Sequence, residues 1–196
     1  MKLLFFDLDE TVLRSDPSVA HLRRRVDDGE WVRVSDAEYA AEIDEVGSNV
    51  EYDFSDFYDD RTMYRSITTA ESIVVNLKVL DDYVTDGYVA AFLTARACET
   101  TTKEAVATWL MIRFGRGEIS SDPRVFFSAD ESKAVNDVKY DLEWSDSSDA
   151  EKKAEVVRRA AQRFEEVVFF DDSVRNIEAV RSLALPNVTA IKSGLN

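Results

Sequence analysis

One cysteine, Cys98, one histidine, His21, three prolines and six glycines are all that this chain of 196 residues holds of those four types. A lone cysteine forms no internal disulfide and suits a reducing cytoplasm. A lone histidine argues against a histidine metal cluster and against a nucleophile-histidine triad. Scarce glycine leaves no Gly/Ser-rich linker, and no internal repeat is visible, so one domain spanning 1–196 is expected. No stretch approaches the roughly 18 apolar residues of a membrane span, and none is expected. Met1-Lys2 lead straight into an apolar run, which reads as the start of a strand and not as a signal peptide.

Positive charge is also scarce. Lysine and arginine number 24 against 39 acidic residues, a net charge of −15. Nonspecific nucleic-acid binding needs a basic face, and beyond Arg23-Arg24-Arg25 none is visible. Such acidity keeps a surface soluble, and the Asp-rich, Lys-poor bias also resembles proteins of salt-in halophiles, with a halophilic virus as source and its host's cytoplasm as setting.

What is present is a core: 45% apolar and 11% aromatic residues support a folded protein. Apolar runs predict strands near 2–7, 87–94, 124–128, 166–171 and 187–191, and helical spacing predicts helices near 70–85, 98–114, 149–164 and 174–184. Strands alternating with helices imply right-handed crossovers and a three-layer α/β/α, Rossmann-like parallel sheet. Trp109, at helical spacing with Ala105 and Ile112, reads as core, and Gly115 and Gly117 stop that helix. Residues 129–148 are polar, with Ser145 to Asp149 read as a loop that caps the following helix.

Leu3-Leu4-Phe5-Phe6-Asp7-Leu8-Asp9-Glu10-Thr11 is the most informative segment. A buried strand ends in two aspartates, at the strand end where ligands bind in open α/β sheets. Alternation is expected to point Asp7 and Asp9 the same way, and like charges that close call for a cation or a shared proton. A hard divalent ion meets that need. Phe92-Leu93-Thr94-Ala95-Arg96 closes a second strand with a hydroxyl and a guanidinium. Lys152-Lys153 lie near the start of a later helix, and Phe169-Phe170-Asp171-Asp172-Ser173 closes a further strand with an acidic pair. Each piece alone also serves as a turn or helix cap; separate caps have no reason to recur at strand ends in this order.

That order resembles the haloacid dehalogenase (HAD) superfamily of phosphohydrolases. The resemblance implies that Asp7 is the nucleophile, that Asp9 is the general acid and base, and that Thr94 and Lys153 hold the phosphate, with Arg96 adding positive charge. It also implies a Mg2+ site made by the Asp7 side chain, the Asp9 backbone carbonyl and the late acidic pair, Asp172 as ligand and Asp171 behind it. The chemistry fits these residue types. A phosphomonoester dianion accepts a carboxylate nucleophile only when positive charge offsets the repulsion, and the reaction passes through an aspartyl-phosphate.

Of the adjacent lysines, one faces the site and the other solvent, because successive helical positions lie roughly 100° apart. Ala150, Ala154 and Val157 mark the core side and put Lys153 at its edge; Lys133 is the weaker candidate. Ala150 to Val157 and Asp53-Phe54-Ser55-Asp56-Phe57 are also similar to stretches of uncharacterised HAD-like proteins from tailed phages.

Eighty-seven positions separate Asp7 from Thr94, too many for one crossover helix, so residues 14–69 are expected to form a cap-like insertion. Trp31 to Val34 reads as a short strand and Ser35-Asp36-Ala37-Glu38 as a capping box. The acidic and aromatic alternation from Glu51 to Tyr58 either pins an irregular segment on the domain or stacks on a substrate base. The expected partner is a phosphorylated small molecule or nucleotide; the alternatives are a polynucleotide 3′-phosphatase and a non-catalytic HAD scaffold. A phosphoacceptor receiver domain also combines acids, Thr and Lys, but its acidic pair comes early.

Overall fold

The computed structural model describes residues 1–14, 16, 18–26, 29–35, 38–39, 42, 50–96, 99–114, 124–127 and 147–194. Five parallel strands, β1 (Lys2–Phe6), β7 (Tyr88–Thr94), β8 (Arg124–Phe127), β9 (Glu166–Asp171) and β10 (Val188–Lys192), form one sheet in the order β10-β9-β1-β7-β8. The apolar run Leu3 to Phe6 takes the middle because both its faces are covered. Leu4 and Phe6 pack with the helices α1 (Asp60–Thr68), α2 (Val74–Thr85) and α3 (Glu99–Phe114), through Met63, Ile67, Leu77, Leu80 and Trp109. Leu3 and Phe5 pack on the other side with α4 (Asp149–Ala160) and α5 (Val174–Ser182), through Ala154, Val157, Ile177 and Val180. Period-two alternation in one strand thus builds a three-layer domain, and Trp109 lies in its core as expected.

The helix expected over 70–85 starts at Val74. Glu71 and Ser72 form β6, antiparallel to β2 (Leu13–Arg14). The helices expected to reach 164 and 184 end at Ala160 and Ser182; Ala184 has a φ of 51°, a left-handed conformation that stops α5. Ser148 caps α4 with a reciprocal Ser148/Glu151 capping box. The expected Gly115 and Gly117 stop, Cys98, Lys133 and most of the stretch 129–148 lie outside the described residues.

Within 14–69, β3 (Leu22–Arg25), β4 (Trp31–Val34) and β5 (Tyr52–Asp53) make a separate antiparallel sheet in the order β4-β3-β5. Ser35 and Glu38 make the expected box, with amide and hydroxyl of Ser35 2.7 and 2.8 Å from the Glu38 carboxylate. The basic run is matched by acids: Arg23 pairs with Asp53 and Asp56, Arg24 with Glu42, and Arg25 with Glu51. Helix α1 brings the chain back onto the main core.

Candidate active site

Strand parity and register bring the acids together. β1 and β9 pair Phe5 with Phe169 and Phe6 with Phe170, so Asp7 comes level with Asp171, and the Asp7 amide donates to the Phe170 carbonyl at 2.9 Å. Asp7 continues the Leu3, Phe5 parity and Asp171 the Val167, Phe169 parity, so both continue the parity of the face that α4 and α5 cover. Helix α4 supplies the cation there. Lys153 falls on the same stripe as Ala150, Ala154 and Val157, and is 2% exposed. Its ammonium donates to Asp7 Oδ1 at 2.6 Å and to Asp171 Oδ2 at 2.8 Å. Lys152, one position away, is partly exposed. Phase alone separates the two.

Asp171 is held from several sides. Besides Lys153, it accepts from the Ser173 amide at 2.9 Å and from Asn176 Nδ2, 2.9 Å from each oxygen. Asp172 lies beside it, with its amide donating to Thr11 Oγ1 at 3.1 Å. Thr11 in turn accepts from Asn76 Nδ2 through its carbonyl at 2.6 Å. Carboxylate oxygens of Asp7, Asp171 and Asp172 all lie within 4.8 Å of one another.

Asp9 takes a different cationic partner from Asp7. Strand pairing of β1 stops at Phe6, and the amides of Thr11, Val12 and Leu13 all turn back to the Leu8 carbonyl, with Glu10 at a φ of 52°. Past that point alternation no longer sets side-chain direction. Asp7 contacts Lys153, whereas Asp9 contacts Arg96, whose Nε and Nη2 lie 2.7 and 2.5 Å from its two oxygens. Arg96, expected at the phosphate, pairs with the second aspartate, with Nη1 on Ser66 Oγ at 3.1 Å and on Met63 Sδ. Thr94 is buried at the end of β7, and its hydroxyl accepts from the Arg96 amide at 3.2 Å.

Electrostatics follow from burial. Burial pushes the Asp7 carboxyl well above the usual range; Lys153 pulls it back, and Asp171 and Asp9 push it up again. Burial alone would lower the Lys153 ammonium, but Asp171 and Asp7 beside it hold it above its ordinary value. Burial and Asp171 push Asp172 up to about 6. Asp7 and Asp171 share one ammonium, whose charge Asp172 also feels. The cluster therefore suits a hard cation: its donors are all carboxylate oxygens, and a divalent ion relieves the repulsion that raises Asp7 and Asp172.

Sequence reasoning missed Asn176, Ser66, Met63 and Thr11's bond to Asp172. Ser173 caps α5, its side chain accepting from the Asn176 amide, and Asn176 three residues on is where a strand-end aspartate can reach the first turn of a helix. Ser66 and Met63 carried no such signal.

The family model of haloacid dehalogenase-like hydrolases matches residues 1–183. No curated protein and no solved structure matches the chain.

Proposed function

The chain belongs to the haloacid dehalogenase-like hydrolase family, and from that premise we propose that it hydrolyses phosphomonoesters with Mg2+, through an aspartyl-phosphate on Asp7. The observation that carries this reading is Lys153, buried between Asp7 and Asp171 at 2.6 and 2.8 Å. A lysine has three N–H donors, and two are engaged by the carboxylates. The third is left for a phosphate oxygen, so the nucleophile and the incoming dianion share one cation. Thr94, at the adjacent strand end, is the second phosphate contact.

Asp7 attacks phosphorus in line; the bond from phosphorus to the ester oxygen breaks, and that oxygen takes a proton from the Asp9 carboxyl. Asp9, now a carboxylate, then takes a proton from water as the water oxygen attacks phosphorus, which releases phosphate and restores Asp7. Magnesium, held by the Asp7 and Asp172 side chains and the Asp9 carbonyl, would add positive charge that offsets the repulsion between carboxylate and phosphate. Asp171 orients Lys153, since both of its oxygens already accept hydrogen bonds.

The substrate class proposed is a small phosphorylated metabolite or nucleotide. A screen of phosphate release from nucleotides, sugar phosphates and 3′-phosphorylated oligonucleotides, with Mg2+ or with EDTA and at low and molar salt, tests it. We expect release from small phosphates that EDTA abolishes, and loss of about 10³-fold or more in Asp7→Asn with unchanged circular dichroism. Release from the oligonucleotides alone would transfer the activity to nucleic-acid ends. No release from any substrate would leave a non-catalytic scaffold.

A further inference from the structure

Arg96 is 6% exposed, and a guanidinium at that depth needs a fixed partner. Its partner is Asp9, met through the parallel fork of Nε and Nη2 at 2.7 and 2.5 Å, the geometry in which arginine fixes a carboxylate's orientation as well as its charge. The third nitrogen faces α1. Nη1 meets Ser66 Oγ at 3.1 Å, and that hydroxyl donates its own proton to the Met63 carbonyl at 2.9 Å, so its lone pairs are turned toward the arginine. Met63 and Ile67 anchor α1 in the core beside Trp109. At the other end, the Arg96 amide is tied to Thr94. Asp9 keeps a side chain 39% exposed.

We propose that Arg96 is a positioning residue for proton transfer: it orients the Asp9 carboxyl, and Ser66 and Met63 of α1 hold it in place. The proposal rests on the phosphatase reading. During turnover one proton leaves Asp9 for the departing ester oxygen while the bond from phosphorus to that oxygen breaks, and one returns to Asp9 from the attacking water. Both transfers need an Asp9 oxygen at a defined place beside phosphorus, and a carboxyl free to rotate loses that geometry. A single bond from Nε suffices to hold one oxygen while the other carries the proton. Strand β5 leads into α1 through a short 3-10 helix, Ser55–Phe57, so the helix that seats Arg96 closely follows the small sheet.

The test is a leaving-group series. Proton donation matters most when the leaving oxygen is strongly basic, so an alkyl phosphate depends on Asp9 far more than p-nitrophenyl phosphate does. Arg96→Lys keeps the charge and removes the fork. It should lose roughly tenfold or more in kcat/KM, which reports the leaving-group step alone, on the alkyl phosphate relative to the aryl phosphate, a part of the 10² to 10⁴ that general acid–base catalysis supplies. Asp9→Asn should show the same skew, and inhibition by inorganic phosphate should be unchanged in Arg96→Lys. Ser66→Ala, a milder change that decides the matter if Arg96→Lys does not fold, should skew the two substrates in the same direction by about two- to threefold. Equal losses on both substrates overturn the proposal. So does weakened inhibition by phosphate, which would place Arg96 on the phosphate instead. A wild-type enzyme inactive on both esters overturns the phosphatase reading, and this proposal with it.

Discussion

The buried lysine between two carboxylates gives the sharpest expectation at the scale of single residues. Removing one partner of a buried ion pair leaves the others unpaired, typically at about 3–5 kcal/mol. Lys153→Ala should therefore both abolish turnover and lower the denaturant midpoint, whereas Lys152→Ala, a surface change, should move stability by about 0.5 kcal/mol or less; equal effects in the two variants would contradict the assignment. Asp172 gives a pH dependence. Its carboxyl is pushed from an ordinary 3.8 up to about 6, chiefly by burial. The folded state thus binds the proton more tightly than the unfolded state. Without divalent ions its contribution is most favourable below about 4 and is lost as pH rises through about 6. In EDTA at pH 7.5, Asp172→Asn should raise the melting temperature by a few degrees and remove the further rise that Mg2+ gives the wild type. A variant that melts lower in EDTA, or still gains from Mg2+, would remove Asp172 from the metal site. Lys153 was legible in the sequence because helical phase alone separates it from Lys152. The pairing of Arg96 with Asp9 was not, because it spans 87 positions and depends on the turn at Glu10.

Among the elements, the strands were the readable part. β1, β7 and β9 are near-continuous apolar runs, buried on both faces, and their ends carry Asp7, Thr94 and Asp171 into one place. Helix α1 escaped notice because Met63 and Ile67 are its only large buried apolar side chains, a spacing of four residues inside an otherwise polar segment. For the aromatics between Glu51 and Tyr58 the sequence offers two uses, pinning the segment on the domain or stacking on a substrate base, and their packing in the structure matches the first. Tyr39 stands edge-on to Tyr52 and Phe54 at 5.0 and 5.7 Å, and Phe54 to Phe57 at 6.2 Å, while Phe57 also packs on the main core. Edge-to-face pairs of this kind are worth about 0.5–1.5 kcal/mol each beyond area burial. Phe54→Ala should then cost about 2 kcal/mol, read as a lower melting temperature, and leave kcat on an aryl phosphate within about twofold. A large kinetic loss at unchanged stability would mean that Phe54 contacts substrate.

For the whole molecule, net charge is the property that composition declares and local contacts do not offset. The described exposed ion pairs, such as Lys78 with Asp82 at 3.1 Å, are of the kind that contributes little. With a net charge of −15, self-repulsion opposes the compact state, and salt screens it. The melting temperature should therefore rise between about 0.05 and 1 M KCl; a flat or falling curve would show that repulsion is not a controlling factor. Among the described residues, no helix is long and apolar enough to cross a membrane.

The central position of β1 has a consequence for synthesis on the ribosome. This strand is made well before one of its two neighbours, β9, which ends at Asp171. At the usual 5–20 residues per second, the Leu-Leu-Phe-Phe run waits on the order of ten to thirty seconds for that second neighbour. During the wait it presents an unpaired edge to other nascent chains. Asp7, Asp9 and Glu10, which directly follow the run, place like charges where two such edges would meet. Asp7 and Asp9, which the proposed mechanism uses, would then act with Glu10 as gatekeepers against misassembly before the domain has folded.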